Sequence, residues 1–133
     1  STLFPYTTLF RSPYSRDAAA AGIIATMNTA YTETEPSRAE IDTLQGATVV
    51  EFGAPWCGYC NAAQPLLAAA FAGYPRVRHI KIEDGKGRLL GRSFQVKLWP
   101  TLVFLSDGQE IARVVRPGDS NAISRALAQI DAG

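Results

Sequence analysis

The chain has 133 residues, 47% hydrophobic and 19% charged, with a formal net charge of +1. That suits one soluble domain with a single core. The near-zero charge argues against a nucleic-acid or anionic-membrane surface, and no apolar run approaches the ~20 residues of a membrane-spanning helix.

The chain opens with Ser1–Ser12, STLFPYTTLFRS, which has no helical or alternating period. The string resembles the in-frame translation of a common short-read sequencing adapter, codon for codon, and is set aside from fold reasoning. Residues 13–26 lie between it and Met27, the sole methionine. Met27 is read as the start of the domain, so 1–26 is expected to be a non-native or upstream leader and 27–133 the domain. A truncated secretory signal is the rival reading, with Arg16 before the apolar run Ala18–Ala25. That run is broken by Gly22, and no clear small-x-small cleavage site follows it. Without Arg11, Arg16 and Asp17, the 13 basic and 12 acidic residues of the chain fall to 11 of each.

Asn28–Thr34 is polar and reads as a short edge strand or an unstructured lead-in. Ser37-Arg38-Ala39-Glu40 is a capping-box pattern. It opens a short helix carrying Ala39, Ile41 and Leu44, which Gly46 ends. Ala47–Phe52 is almost continuously apolar, as a central strand covered on both faces should be. A helix is expected from Cys57 to about Ala72, with Ala62, Ala63, Leu66, Leu67, Ala70 and Phe71 on its apolar face and a kink at Pro65. Arg76–Glu83 reads as a strand with Val77, Ile80 and Ile82 in the core. Asp84–Gly87 is a plain turn, since it lacks any phosphate-loop spacing. Arg88–Phe94 is a short helix and Leu102–Leu105 a strand. Asp107-Gly108 signals a tight hairpin to Glu110–Val115. Asp119 or Ser120 then caps a last helix through Ile130, with Ile123, Leu127 and Ile130 buried. This order predicts an α/β sandwich with a mixed sheet and helices on both faces.

The chain's only cysteines, Cys57 and Cys60, are too close together to staple distant segments. At this spacing they read as a redox pair or as half of a metal site. A zinc site needs about four ligands, and two Cys with one His fall short of that. A strand delivers Cys57 to a helix N-terminus, where unpaired amides and the helix dipole favour a thiolate. Such positions lower a cysteine pKa from ~8.5 into roughly the 3.5–7.5 range. Cys60, one turn inward, is expected to resolve the mixed disulfide that Cys57 forms. Glu51 lies between Val50 and Phe52. Burial raises a carboxyl pKa, so Glu51 is a candidate to carry the proton of Cys60. Trp56 and Tyr59 would form an apolar rim. Each residue also has a plainer reading: Glu51 at a solvent-facing edge, Trp99 as core packing, Tyr59 as a spacer. His79 is expected as a surface residue of its strand rather than a catalytic one.

Trp56-Cys57-Gly58-Tyr59-Cys60 after a buried strand, Pro65 in the following helix, and Trp99-Pro100-Thr101 opening a strand that closes a hairpin together resemble the thioredoxin family over about 35–133. The resemblance implies a thioredoxin-like three-layer sandwich and a thiol–disulfide oxidoreductase that needs no cofactor. It implies catalytic residues Cys57, Cys60 and Glu51, and substrate contacts at Trp56, Gly58, Tyr59, Trp99 and Pro100. Pro100 takes the position of the family's cis-proline, whose neighbouring backbone can pair with an extended substrate. Two departures stand out. Gly58-Tyr59 replaces Gly-Pro between the cysteines, and Glu51 replaces the usual Asp. The family's lysine near that acid falls on His79. Expected partners are disulfide-containing proteins and a thioredoxin-reductase-like electron donor, with no nucleic acid and no membrane. The expected setting is a monomer in the cytoplasm. A thioredoxin-fold interaction module without turnover and an extracytoplasmic oxidase or isomerase are the alternatives.

Overall fold

The computed structural model describes residues 27–131; the leader reading for 1–26 falls outside them. The elements are α1 (Arg38–Asp42), β1 (Ala47–Gly53), α2 (Gly58–Phe71), β2 (Arg78–Glu83), α3 (Leu89–Ser93), β3 (Thr101–Ser106), β4 (Gln109–Val115) and α4 (Ser120–Ile130). This is the order that the sequence predicts. The sheet runs β2-β1-β3-β4. β1 pairs parallel with β2 and antiparallel with β3, and β3 pairs antiparallel with β4.

The near-continuous apolar character of β1 follows from its place: it has a strand on either side and a core on each face. Val49 packs with Ala63, Leu67 and Phe71 of α2 and with Ile123 and Leu127 of α4. Val50 and Phe52 face the other way, toward Ile41 of α1 and Leu90 and Phe94 at α3. The molecule therefore has three layers: α2 and α4, the sheet, then α1 and α3.

Local signals account for the element ends. Ser37 and Glu40 form the reciprocal capping box, with Glu40 N donating to Ser37 Oγ at 3.1 Å and Ser37 N to Glu40 Oε1 at 3.3 Å. Asp119, rather than Ser120, caps α4 through Ala122 N at 3.0 Å. Asp107 and Gly108 take φ of 49° and 81° between β3 and β4, the left-handed pair that a two-residue hairpin needs. α2 continues through Pro65, whose face is exposed, so water can satisfy the carbonyl left without a donor.

Two assignments of buried faces need correcting. Ala39 is exposed, because α1 is so short that only Ile41 and, just beyond its end, Leu44 reach the core. Ala62 is exposed as well, and Cys60 takes its place in the buried stripe with Ala63, Leu67, Ala70 and Phe71. The segment before Pro36 forms no strand, yet it lies along the open edge of β2. Thr32 N donates to Lys81 O at 2.9 Å, and Asn28 Nδ2 donates to His79 O at 3.2 Å.

Candidate active site

The strand–helix junction places the two sulfurs. β1 ends at Gly53, Ala54 is buried, and Cys57 caps α2 from an extended conformation. Its Sγ accepts the Cys60 amide at 3.2 Å. One of the orphan donors of the helix N-terminus is thus aimed at that sulfur. Both cysteines are free. Cys57 retains 7% of its surface and Cys60 only 1%, so Cys57 is the more accessible of the two. Burial pushes the Cys60 thiol up to about 12, reinforced by its bond to Cys57 and by the charges of Cys57 and Glu51, and opposed by a backbone bond at Ala54.

Glu51 lies on the α2-facing side of β1, in line with Val49, and is fully buried. The solvent-facing alternative for it is thereby excluded. His79 is the larger correction: it is a buried residue, not a surface one. In the parallel register Glu51 sits opposite Lys81, so His79, two residues earlier in β2, shares their face. Its ring stacks near Phe71, with centroids 4.9 Å apart. Nδ1 of His79 accepts the Asn28 amide at 2.7 Å, which leaves the ring hydrogen on Nε2, 2.9 Å from Glu51 Oε1. The other carboxyl oxygen accepts from Gln64 Nε2 at 3.0 Å. The same amide nitrogen donates to Cys60 O at 2.8 Å, and Gln64 Oε1 accepts from Lys81 Nζ at 3.0 Å. Both oxygens of the buried carboxyl are therefore held.

Gly53 makes room for this arrangement. A Cβ there would stand 2.6 Å from Cys60 Sγ and 3.3 Å from the Tyr31 hydroxyl. The Lys81 ammonium sits 4.7 Å from the Tyr31 ring centroid. Burial, followed by the charges of Cys60, Glu51, Cys57 and Glu83, holds the Tyr31 hydroxyl proton well above the ordinary tyrosine range.

The rim is aromatic. Trp56 is 73% and Tyr59 61% exposed, while Gly58 lies open between the cysteines. Trp99 packs against the Ala54, Cys57 and Cys60 cluster, so it is part of the site's wall. It meets Trp56 edge-on at 5.5 Å, and its indole Nε1 donates to Asp84 Oδ2 at 2.9 Å. The Trp99–Pro100 peptide is cis. Among the described residues no group of three or more His, Cys, Asp or Glu side chains could hold a metal ion.

The sequence model of the Thioredoxin family matches residues 28–129. The chain belongs to the thioredoxin family. It is similar to the solved structure of thioredoxin 2 from Pseudomonas aeruginosa PAO1 in its reduced form, at 60% identity and a TM-score of 0.71, over 78% of this chain and 96% of that one. Among curated relatives, Thioredoxin Asp f 28 of Aspergillus fumigatus is 31% identical over 90 residues, 68% of this chain and 83% of that protein. A thioredoxin of Chlamydia trachomatis is 29% identical over 84 residues, 63% of this chain and 82% of its own length. Like other thioredoxins, the chain is a thiol–disulfide oxidoreductase, and thioredoxins act on disulfide-containing proteins. Among the described residues no helix is long and apolar enough to cross a membrane.

The structure clusters the buried Cys57 and Cys60 with Trp99 beneath an exposed rim of Trp56, Gly58 and Tyr59, joins Pro100 to Trp99 by the cis bond, and links the buried Glu51 to Cys60 through Gln64. It adds Gln64, Tyr31, Asn28, Asp84 and Lys81. Gln64 carried a signal, since it lies four residues beyond Cys60 and so on the same helical face. The other four join the site across the fold, from segments that read as a lead-in, a turn and a strand.

Proposed function

We propose that this thioredoxin works as a reductant of protein disulfides, with Cys57 as nucleophile, Cys60 as resolving thiol and Glu51 as the group that takes the Cys60 proton. The observation that carries this reading is the division of labour between the sulfurs. Cys57 holds the more accessible, amide-capped position, with 7% of its surface open against 1% for Cys60, whose thiol is pushed up to about 12. The Cys57 thiolate attacks one sulfur of the substrate disulfide, forming a mixed disulfide and releasing a substrate thiolate, which takes a proton. Cys60 then passes its proton to Glu51 and attacks Cys57 Sγ. The second substrate sulfur leaves as a thiolate and takes a proton; the pair ends as a disulfide, and the two electrons it loses reside on the two substrate sulfurs. Gln64 and His79 hold the carboxyl in place for that transfer. Trp56, Gly58, Tyr59 and the Trp99-Pro100 backbone receive the peptide on either side of the bond. A thioredoxin-reductase-like donor returns the pair to the dithiol, which sets the cycle in a reducing cytoplasm, with the protein acting as a monomer.

The protein should accelerate insulin reduction over dithiothreitol alone. Cys57→Ser abolishes the acceleration, Cys60→Ser traps a mixed disulfide, and Glu51→Gln slows turnover by up to roughly 100-fold. Trapping by Cys57→Ser in place of Cys60→Ser would reverse the roles of the two sulfurs. A pair potential near ~−270 mV fits a reductant, and one near ~−120 to −180 mV would make it an oxidant or isomerase.

A further inference from the structure

The surface around Trp99 is unusually cationic for a chain of formal charge +1. Lys86 and Arg88 from the loop after β2, Arg92 of α3 and Lys97 from the approach to the cis bond line one open depression of ≈ 580 Å³ whose wall includes Trp99. All four are exposed. The only carboxylate in that wall is Asp84, and it is already bonded to the Trp99 indole. A fifth cation reaches Trp99 from the end of β4. Arg116 donates Nε to Trp99 O at 2.8 Å and lays its guanidinium over the Tyr59 ring, 3.8 Å from the centroid. Its own amide donates to Pro100 O at 3.0 Å, and its φ of 49° is a left-handed value. None of the five makes an ion pair among the described residues.

Resting on the reading of the dithiol above, we propose that these five cations select protein disulfides flanked by Asp or Glu. Arg116 is the specificity residue in contact with the rim. Stacked on one element of the rim and bonded to another, it is already ordered and loses little freedom on binding. Its terminal nitrogens make no bond among the described residues and suit a carboxylate's two oxygens. The four cations of the depression draw an acidic segment toward Trp99, a steering effect that salt screens. The proposal adds no chemical step. It fixes which disulfides reach Cys57.

The test uses two disulfide peptides that differ only in carrying Glu or Lys beside each half-cystine. Their reduction by the full chain is measured as kcat/KM relative to dithiothreitol, which removes intrinsic differences in reactivity. At low salt the Glu peptide should be favoured about tenfold, and in about 0.5 M salt the preference should shrink toward unity. Reversing the depression with K86E, R88E, R92E and K97E together should invert the preference. Arg116→Gln should weaken it, and Arg116→Lys, which keeps the charge but loses the stacked fork, should recover only part of it. Equal kcat/KM for the two peptides, alongside normal insulin reduction, overturns this inference and leaves the oxidoreductase reading standing. Reduction of neither peptide and no insulin turnover overturns both.

Discussion

Cys60 links the chemistry of the site to the stability of the fold. Its thiol moves from an ordinary 9.0 up to about 12, chiefly by burial. A raised value means the folded, reduced protein keeps a proton that the unfolded chain gives up first. The stabilisation is therefore fully present below pH about 9 and is lost as pH climbs toward about 12. Urea midpoints of the reduced protein should fall steadily between pH about 8.5 and about 10.5. The oxidised protein, which has no Cys60 proton to lose, should show a shallower fall. Parallel curves for the two redox forms would contradict this account. At this scale the sequence revealed the pair itself and the acid, because C-x-x-C after a buried strand and Glu51 inside an apolar run are both local patterns. His79 was misread for a physical reason. Its exposure depends on which face of β2 it occupies, and that face is set by the register with β1 and by α2 lying above, not by its neighbours in sequence.

Between elements, the hairpin and the first helix depend on each other. Asp107 Oδ1 accepts the Gly46 amide at 2.7 Å, and Asp107 N donates to Gly46 O at 3.0 Å. The β3–β4 turn is thereby fastened to the loop that leads into β1. Gly108 at the same turn packs so closely that a Cβ would overlap the Asp42 carbonyl at the end of α1. Its φ of 81° disfavours a side chain as well. Gly108→Ala should therefore cost more than the ~1 kcal/mol of a simple left-handed substitution. A loss of about 2–3 kcal/mol in urea unfolding is expected, because backbone must move. A loss below ~0.5 kcal/mol would show that the turn and α1 do not press on one another. The elements themselves were readable from the chain because caps, turns and periodicity agreed with one another. What could not be read was this docking, which requires knowing that residues 46 and 107 meet.

Across the whole molecule, the sheet order follows from chain connectivity. A parallel β1–β2 unit crosses over by α2, and an antiparallel hairpin joins the other side of β1. The resulting central strand has one face for the α1 and α3 core and one for the α2 and α4 core. The single carboxyl on the second face sits behind the active sulfurs. The layered architecture was legible because helices and strands alternate in the first half and strands adjoin in the second. The role of 27–36 was not, since a polar segment has no period to show that it borders β2. The cationic surface about Trp99 was equally hidden. Its members come from four separate stretches, and one of them, Arg116, has no motif around it.

That bordering segment also provides an observable. The Asn28 amide ends a line of contacts that runs through the His79 ring to Glu51. Hydrogen bonds in such a chain polarise one another, so a change of charge at the carboxyl alters the pull on a backbone hydrogen 51 residues before the histidine. In a heteronuclear NMR spectrum the Asn28 cross-peak should move between oxidised and reduced protein, and move again in Glu51→Gln, while the amides of α4 stay still. A stationary Asn28 peak in both comparisons would mean that the line is broken. If it moves, the chain carries its own label for the proton that the dithiol exchanges, at a position where neither sulfur has to be modified to read it.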